Sequence, residues 1–229
     1  MKTVSIPDIG EVQLVKNPRS RSIKMTIDRN SVVKVTIPSW APYKAGELFV
    51  LSKQEWIKEH LQPKTLLKHG DPIGKFHHLY FRSDEKVKTV TSRQKGSTLW
   101  VTHPHTFKHT HETVQSSARK IAMKALRVQA QNTLPQRLTQ LAKKHGFEFS
   151  SVSVRQLKAR WGSCSSKQEI TLNFFLMQLP WELIDYVLLH ELTHTKAMHH
   201  GPEFWEIFDQ ALPNAKSYRK QLHEYAPYI

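Results

Sequence analysis

His190-Glu191-Leu192-Thr193-His194 sets two imidazoles four residues apart, with a carboxylate next to the first. On a helix of about 3.6 residues per turn, positions i and i+4 share one face, roughly 6 Å apart along the axis. Both rings can then reach one Zn²⁺ at about 2.0–2.1 Å. Glu191 lies about 100° around the helix from His190. That is too far round for a third ligand on the same line, but well placed to hold a metal-bound water. A metal, a water and a base are the parts of a zinc hydrolase. The competing reading is two surface histidines on an amphipathic helix beside a solvated glutamate, and the flanking residues weigh against it.

The run leading in, 181–189, joins the motif with Leu183, Ile184, Val187, Leu188 and Leu192 at helical spacing, and Pro180 stands where a helix start tolerates proline. Further on, His200 would point well away from the His190/His194 face if the helix continued. Gly201-Pro202 follows at once, and the residue before a proline disfavours helical backbone. The sequence therefore predicts a break near His199-His200 that folds the chain back, with Pro202 opening a new helix through Phe208.

The text Arg160-Trp161-Gly162-Ser163-Cys164-Ser165, then Leu172-Asn173, Ile184-Asp185-Tyr186-Val187, the His-Glu-x-x-His run and His200-Gly201-Pro202-Glu203-Phe204-Trp205 resembles a bacterial family, the YgjP-like metallopeptidases, relatives of the SprT and WLM zincins. Order and spacing agree from about residue 155 to 210, and a looser likeness reaches back to 19–38. The resemblance implies that His190, His194 and His200 hold zinc and that Glu191 is the catalytic base. One position departs from the family: the residue before the third ligand, commonly Asn, is His199 here. Either of two adjacent histidines can bind a metal. The Gly-Pro register favours His200 and leaves His199 to support a ligand or to donate a hydrogen bond to substrate. By resemblance and residue type, Arg160, His199 and Asn173 are candidates to stabilise an oxyanion. Asp185, Glu203 and Asp209 are candidates to orient ligand rings through their second nitrogen.

The elements that must position these residues read as α+β: a zincin-like metallopeptidase core with a β-rich N-terminal part, divided as a β-rich region 1–110 and a metallopeptidase domain 111–229. Residues 22–27 and 32–37 alternate in strand fashion about a turn at Asp28-Arg29-Asn30-Ser31. Residues 46–61 carry a helical pattern. Strands are predicted at 77–82, 86–91 and 98–103, with Gln94-Lys95-Gly96-Ser97 as a turn. A long amphipathic helix is expected over 112–145, its buried stripe made of Ile121, Ala125, Leu126, Leu134, Leu138 and Leu141, with Pro135 able to kink or split it. Residues 152–154 and 169–174 are expected as strands flanking the Arg-Trp-Gly-Ser-Cys turn.

Composition narrows the remaining classes. No apolar run approaches the ~18 residues of a membrane span, and the opening residues lack a signal-peptide core; the expectation is a cytoplasmic protein. The chain has a single cysteine, Cys164, so no intrachain disulfide forms. Burial as a small apolar residue near the site is the expectation for it. The histidines at 103, 105, 109 and 111 lack carboxylate or thiol company and read as a polar loop in preference to a second metal site. A formal charge of +15 from 34 Lys+Arg against 19 Asp+Glu favours anionic partners and allows non-specific nucleic-acid binding.

Protein or peptide bonds are thus the leading substrate, cut by a zinc-bound water with Glu191 as general base. The rivals are a nucleotide pyrophosphohydrolase and a nucleic-acid-associated protein with a structural zinc. The first lacks a Gly-rich phosphate loop and a paired-carboxylate magnesium site. The second would have no use for Glu191.

Overall fold

The computed structural model describes residues 2–7, 9–27, 32–60, 66–158 and 160–227. By packing, the chain divides into two compact units, Met1–Thr65 and Leu66–Pro227.

The first unit holds strands β1 (Lys2–Ile6), β2 (Gly10–Asn17), β3 (Lys24–Ile27) and β4 (Val33–Pro38), then helices α1 (Tyr43–Ser52) and α2 (Gln54–His60). The strands form one sheet in the order β1-β2-β4-β3. The predicted pairing of the third and fourth strands is present, antiparallel with Met25 opposite Val35; its turn, Asp28 to Ser31, lies outside the described residues. Alternate side chains Val12, Leu14, Val33, Val35 and Ile37 are buried, the period-2 pattern of a half-covered sheet. Gly46 lets α1 lie close to it, because a Cβ there would come within 2.5 Å of Ile37 Cδ1. The single helix expected over 46–61 is two helices, which part at Lys53.

The second unit begins with β5 (Pro72–Ile73), β6 (His77–Asp84), β7 (Thr91–Lys95) and β8 (Thr98–Pro104), a sheet in the order β5-β6-β8-β7. The strand expected at 86–91 lies at Thr91–Lys95 instead. A two-residue turn, Gly96-Ser97, sets the register, with Lys95 paired to Thr98 and Gly96 at φ +56°. Glycine tolerates that backbone without strain.

Helix α3 (Glu112–His145) is one continuous element of 34 residues, starting and ending where the sequence predicts, and Pro135 does not divide it. It ends on Gly146 in the left-handed conformation, whose N–H bonds the Ala142 carbonyl. Its buried stripe contains the expected Ile121, Ala125, Leu126, Leu134 and Leu138. It also contains two glutamines that an apolar pattern does not flag. Gln115 bonds both backbone groups of Leu67 and the His109 carbonyl, and Gln129 bonds Ile73 O and Lys75 N. These side chains satisfy loop backbone that would otherwise be buried unpaired. The packing division lies upstream of residue 110 for the same reason: β5 to β8 share one core with α3.

A second sheet, β10-β11-β9, joins β9 (Ser151–Arg155), β10 (Gly162–Cys164) and β11 (Glu169–Asn173); β11 runs parallel to β9 and antiparallel to β10. A 3₁₀ turn (Phe174–Gln178) leads into α4 (Trp181–Thr193), followed by α5 (Pro202–Ala211) and α6 (Ala215–Leu222). The architecture is α+β. Among the described residues no helix is long and apolar enough to cross a membrane.

The His-rich tract is taken up by structure. His103 is buried with Nδ1 against the Pro104 carbonyl, while His111 caps α3, accepting from Thr113 N–H and stacking on Phe107 at 4.1 Å.

Candidate active site

Helix α4 buries Leu183, Ile184, Val187, Leu188 and Leu192 on the core side and brings His190 and His194 to its C-terminal end. At its end backbone N–H groups turn back onto the last carbonyls, Thr195 onto Leu192 and Lys196 and Ala197 onto Thr193, and two hydroxyls add to them. Thr193 Oγ1 donates to Leu189 O and Thr195 Oγ1 to Leu192 O, both at 2.8 Å. The turn that follows orients His194, whose Nδ1 lies 3.1 Å from the Ala197 carbonyl, leaving Nε2 as its free donor atom. The chain then reverses, and Gly201 and Pro202 stand at the N-cap and first position of α5, the placement that proline favours.

The reversal brings His200 back to the pair. One nitrogen from each of His190, His194 and His200 lies within 4.8 Å of the others, and among the described residues no other His, Cys, Asp or Glu cluster could hold a metal ion. The Nε2 atoms of His190 and His200 approach to 3.0 Å, a separation that calls for a shared proton or a shared cation. His199 is exposed and outside the cluster. Phe204, fully buried, packs under all three rings at centroid distances of 5.0, 4.7 and 4.7 Å. Sequence reasoning took Phe204 only as part of the next helix. His200 lies before the N-cap of α5, so helical spacing does not aim Phe204 at the rings; the chain reversal at Gly201 does.

Burial tunes these groups. It pushes His190 down to about 3, helped by neighbouring His194 and His200, so the ring is neutral at physiological pH and carries the lone pair that a metal needs. Burial also raises Glu191 to about 8, against a weaker opposing pull from Arg160. Glu191 is 5% exposed, and its Oε2 has no hydrogen-bond partner among the described residues. It is wedged against β10, where a Cβ on Gly162 would sit 2.7 Å from Glu191 Cγ and Oε1. The glycine of Arg-Trp-Gly-Ser-Cys is therefore a close-approach position. Cys164, half-buried two residues on, has its thiol raised to about 11 by burial and then by Glu191, which keeps it protonated and a poor nucleophile.

Residues 21–225 match the family model described as YgjP-like, metallopeptidase domain. The chain belongs to the YgjP-like metallopeptidase family. It is accordingly a metallopeptidase-type hydrolase. Two solved structures are similar over part of this YgjP-like chain. The metallopeptidase zymogen abylysin of Pyrococcus abyssi has 26% identity over 42% of this chain and 99% of its own, with a TM-score of 0.38. The metallopeptidase zymogen jannalysin of Methanocaldococcus jannaschii has 19% identity over 38% and 90%, with a TM-score of 0.35. No curated protein matches the chain.

Four residues considered for supporting roles in this YgjP-like site are engaged otherwise or stand apart from it. Asn173 is fully buried and donates both amide hydrogens, to Leu157 O and Arg160 O, while its Oδ1 caps the 3₁₀ turn at Phe175 N–H. It holds the strand approach to β10 and has no donor left for an oxyanion. Asp185 does not touch a histidine. Its carboxylate takes a two-pronged bond from Arg137 Nε and Nη2, the latter at 2.7 Å, and Arg137 also lies over Trp181, 4.6 Å from the ring centroid. This clamp ties α3 to α4. The Asp185→Asn variant is expected to keep its full metal content while losing about 1–2 kcal/mol of stability, read by denaturant titration beside metal analysis. Glu203 makes no hydrogen bond to a ring of the triad, nor does Asp209, among the described residues.

In the metal-free protein Glu191 and His190 tie stability to pH in opposite directions. Between its ordinary value of 4.5 and about 8, Glu191 holds a proton only in the folded state, so stability falls as pH rises through that window. Between about 3 and its ordinary 6.5, His190 is protonated only in the unfolded state. Its contribution is therefore complete above 6.5 and is lost as pH falls. Of these two, only the glutamate contributes a slope from pH 6.5 to 8, at most about 1.4 kcal/mol per pH unit. Metal-free Glu191→Gln is expected to lack that decline in thermal melts. Parallel curves for the two proteins over this range would show that burial does not shift Glu191.

Proposed function

We propose that the protein is a zinc-dependent metallopeptidase in which His190, His194 and His200 hold the metal and Glu191 is the general base. The observation that carries the reading is the convergence of three imidazoles from α4 and the following turn, with a buried, unpartnered carboxylate beside them. The donor set fits zinc. The three ring nitrogens converge, burial keeps His190 neutral, and the Ala197 carbonyl fixes the tautomer of His194. Zinc bound there would act as a Lewis acid and bring the pKa of a water toward 7.

With a cation beside it favouring its ionised form, Glu191 would take the proton of the attacking water and pass it to the leaving amine. Its contact with Gly162 limits where the carboxylate can swing, so the proton is received at a defined place. Arg160 favours the charged form of Glu191 and stands on the segment that Asn173 anchors. His199, exposed and next to His200, is free to donate to substrate.

A peptide substrate is supported by the edge of the β10-β11-β9 sheet. β10 is its outer strand, and among the described residues no strand pairs with the far side of β10. An extended peptide could add there through main-chain hydrogen bonds, beside the strand that touches Glu191. A cytoplasmic setting fits the lone cysteine.

The test is a parallel assay of zinc-loaded and chelator-treated protein on an unfolded protein and on nucleoside triphosphates. Zinc-dependent proteolysis is expected. Release of pyrophosphate without proteolysis would replace the reading with a nucleotide pyrophosphohydrolase, and bound zinc with neither activity would leave a structural metal.

A further inference from the structure

The β5-β6-β8-β7 sheet has one face on the core and one in solvent. Leu79, Phe81, Leu99 and Val101 point inward and are buried with α3. The alternate residues point outward, and strand register arranges them in three rows. The central row is Tyr80, Trp100 and Arg93. On one side lies His78, Thr98 and Lys95, and on the other Arg82, Thr102 and Thr91. Trp100 is 36% exposed and its ring centroid is 5.2 Å from that of Tyr80. His69 abuts Tyr80 edge-on at 5.0 Å, its Nδ1 fixed by the Phe81 N–H.

Two adjacent rings thus lie in the middle of an open sheet face, ringed by cations. Arg82, Arg93 and Lys95 form no ion pair among the described residues. Asp84, the acidic residue of the same parity on β6, is turned to the Lys86 backbone N–H at 2.9 Å. Large rings on a solvent face weaken solubility, and nothing in the core needs them there.

We propose that this face binds single-stranded nucleic acid, with bases stacked on Tyr80 and Trp100 and phosphates held by Arg82, Arg93 and Lys95. Every base has a π-face and so stacks on an aromatic side chain whatever the sequence, and a flanking positive groove tracks the backbone. A duplex hides those faces inside its own stack, and this face presents no helix to enter its groove. The overall charge of +15 adds long-range attraction but selects no strand form. The aromatic pair does. This surface is separate from the histidine cluster, so the proposal stands whether or not the catalytic reading holds.

The test is fluorescence anisotropy of labelled oligothymidylate, oligouridylate and a duplex of equal length at ~50 mM salt, with circular dichroism melts showing that each variant folds. Both single strands are expected to bind more tightly than the duplex, and the tighter of the two names the natural strand chemistry. Trp100→Ala is expected to weaken single-strand binding about ten-fold or more. The Arg93→Ala/Lys95→Ala double variant, on a fully exposed strand, is expected to reduce the salt slope by about 1.4, from roughly 0.7 per phosphate contact. Lys143→Ala/Lys144→Ala, at the exposed end of α3, is expected to change neither. Equal affinity for duplex and single strand with Trp100→Ala unaltered would overturn the proposal, as would no binding to any oligonucleotide. Preference for poly-glutamate over both strands would make the face a site for an acidic protein and overturn it too.

Discussion

Glu191→Gln is expected to retain zinc and lose hydrolysis by two or more orders of magnitude. The amide matches the carboxylate in size, so it fills the space against Gly162, where a Cβ would come within 2.7 Å of the glutamate side chain. It cannot accept a proton, and a positioned general base is worth about 10²–10⁴ in rate. Because the loss is confined to the transition state, kcat and kcat/KM should fall together with KM little changed. Metal analysis, a melt and steady-state proteolysis on one preparation check all three points. Gly162→Ala makes the complementary arm: it leaves the carboxylate chemically intact but forces it aside, so activity should fall with zinc still bound. Undiminished turnover by Glu191→Gln would remove Glu191 from the mechanism. Loss of zinc from that variant would make Glu191 a ligand.

The second large effect concerns the three proposed ligands. His190→Ala, His194→Ala and His200→Ala are each expected to lose bound zinc, which should stand at about one per chain in the unaltered protein, and with it all hydrolysis. His199→Ala is expected to keep zinc, because His199 is exposed and outside the group of convergent nitrogens. Zinc content by elemental analysis, after dialysis against a weak chelator, reads the outcome directly. If His199→Ala loses the metal and His200→Ala keeps it, the third ligand is His199. Loss of the metal should also destabilise the fold near α4, since a ligand bound only by the folded state adds RT ln(1 + [L]/Kd) to stability.

Much of this was legible in residue order. The i,i+4 histidines, the apolar stripe of α4 and the Gly-Pro stop after His200 are local features, and helix periodicity and proline stereochemistry translate them into geometry with little help from the rest of the chain. The long helix over 112–145 was readable for the same reason, while its stop on a left-handed Gly146 came with the structure. Pro135 stayed inside it because one missing N–H and a local clash cost less than exposing the face that packs on two sheets.

What required the folded chain was every relation between segments distant in sequence. The strand expected at 86–91 moved to Thr91–Lys95 because the two-residue turn at Gly96-Ser97 sets pairing with β8. Gln115 and Gln129 break the apolar stripe because loops at Leu67, Ile73 and Lys75 need partners for their backbone. Asp185 and Asn173 had the right residue types to serve the metal site. Arg137, 48 residues away, and the Leu157 and Arg160 carbonyls claimed them first. Residue type and spacing state which chemistry a chain can perform. Competition among distant partners for each buried polar atom settles which residues are free to perform it.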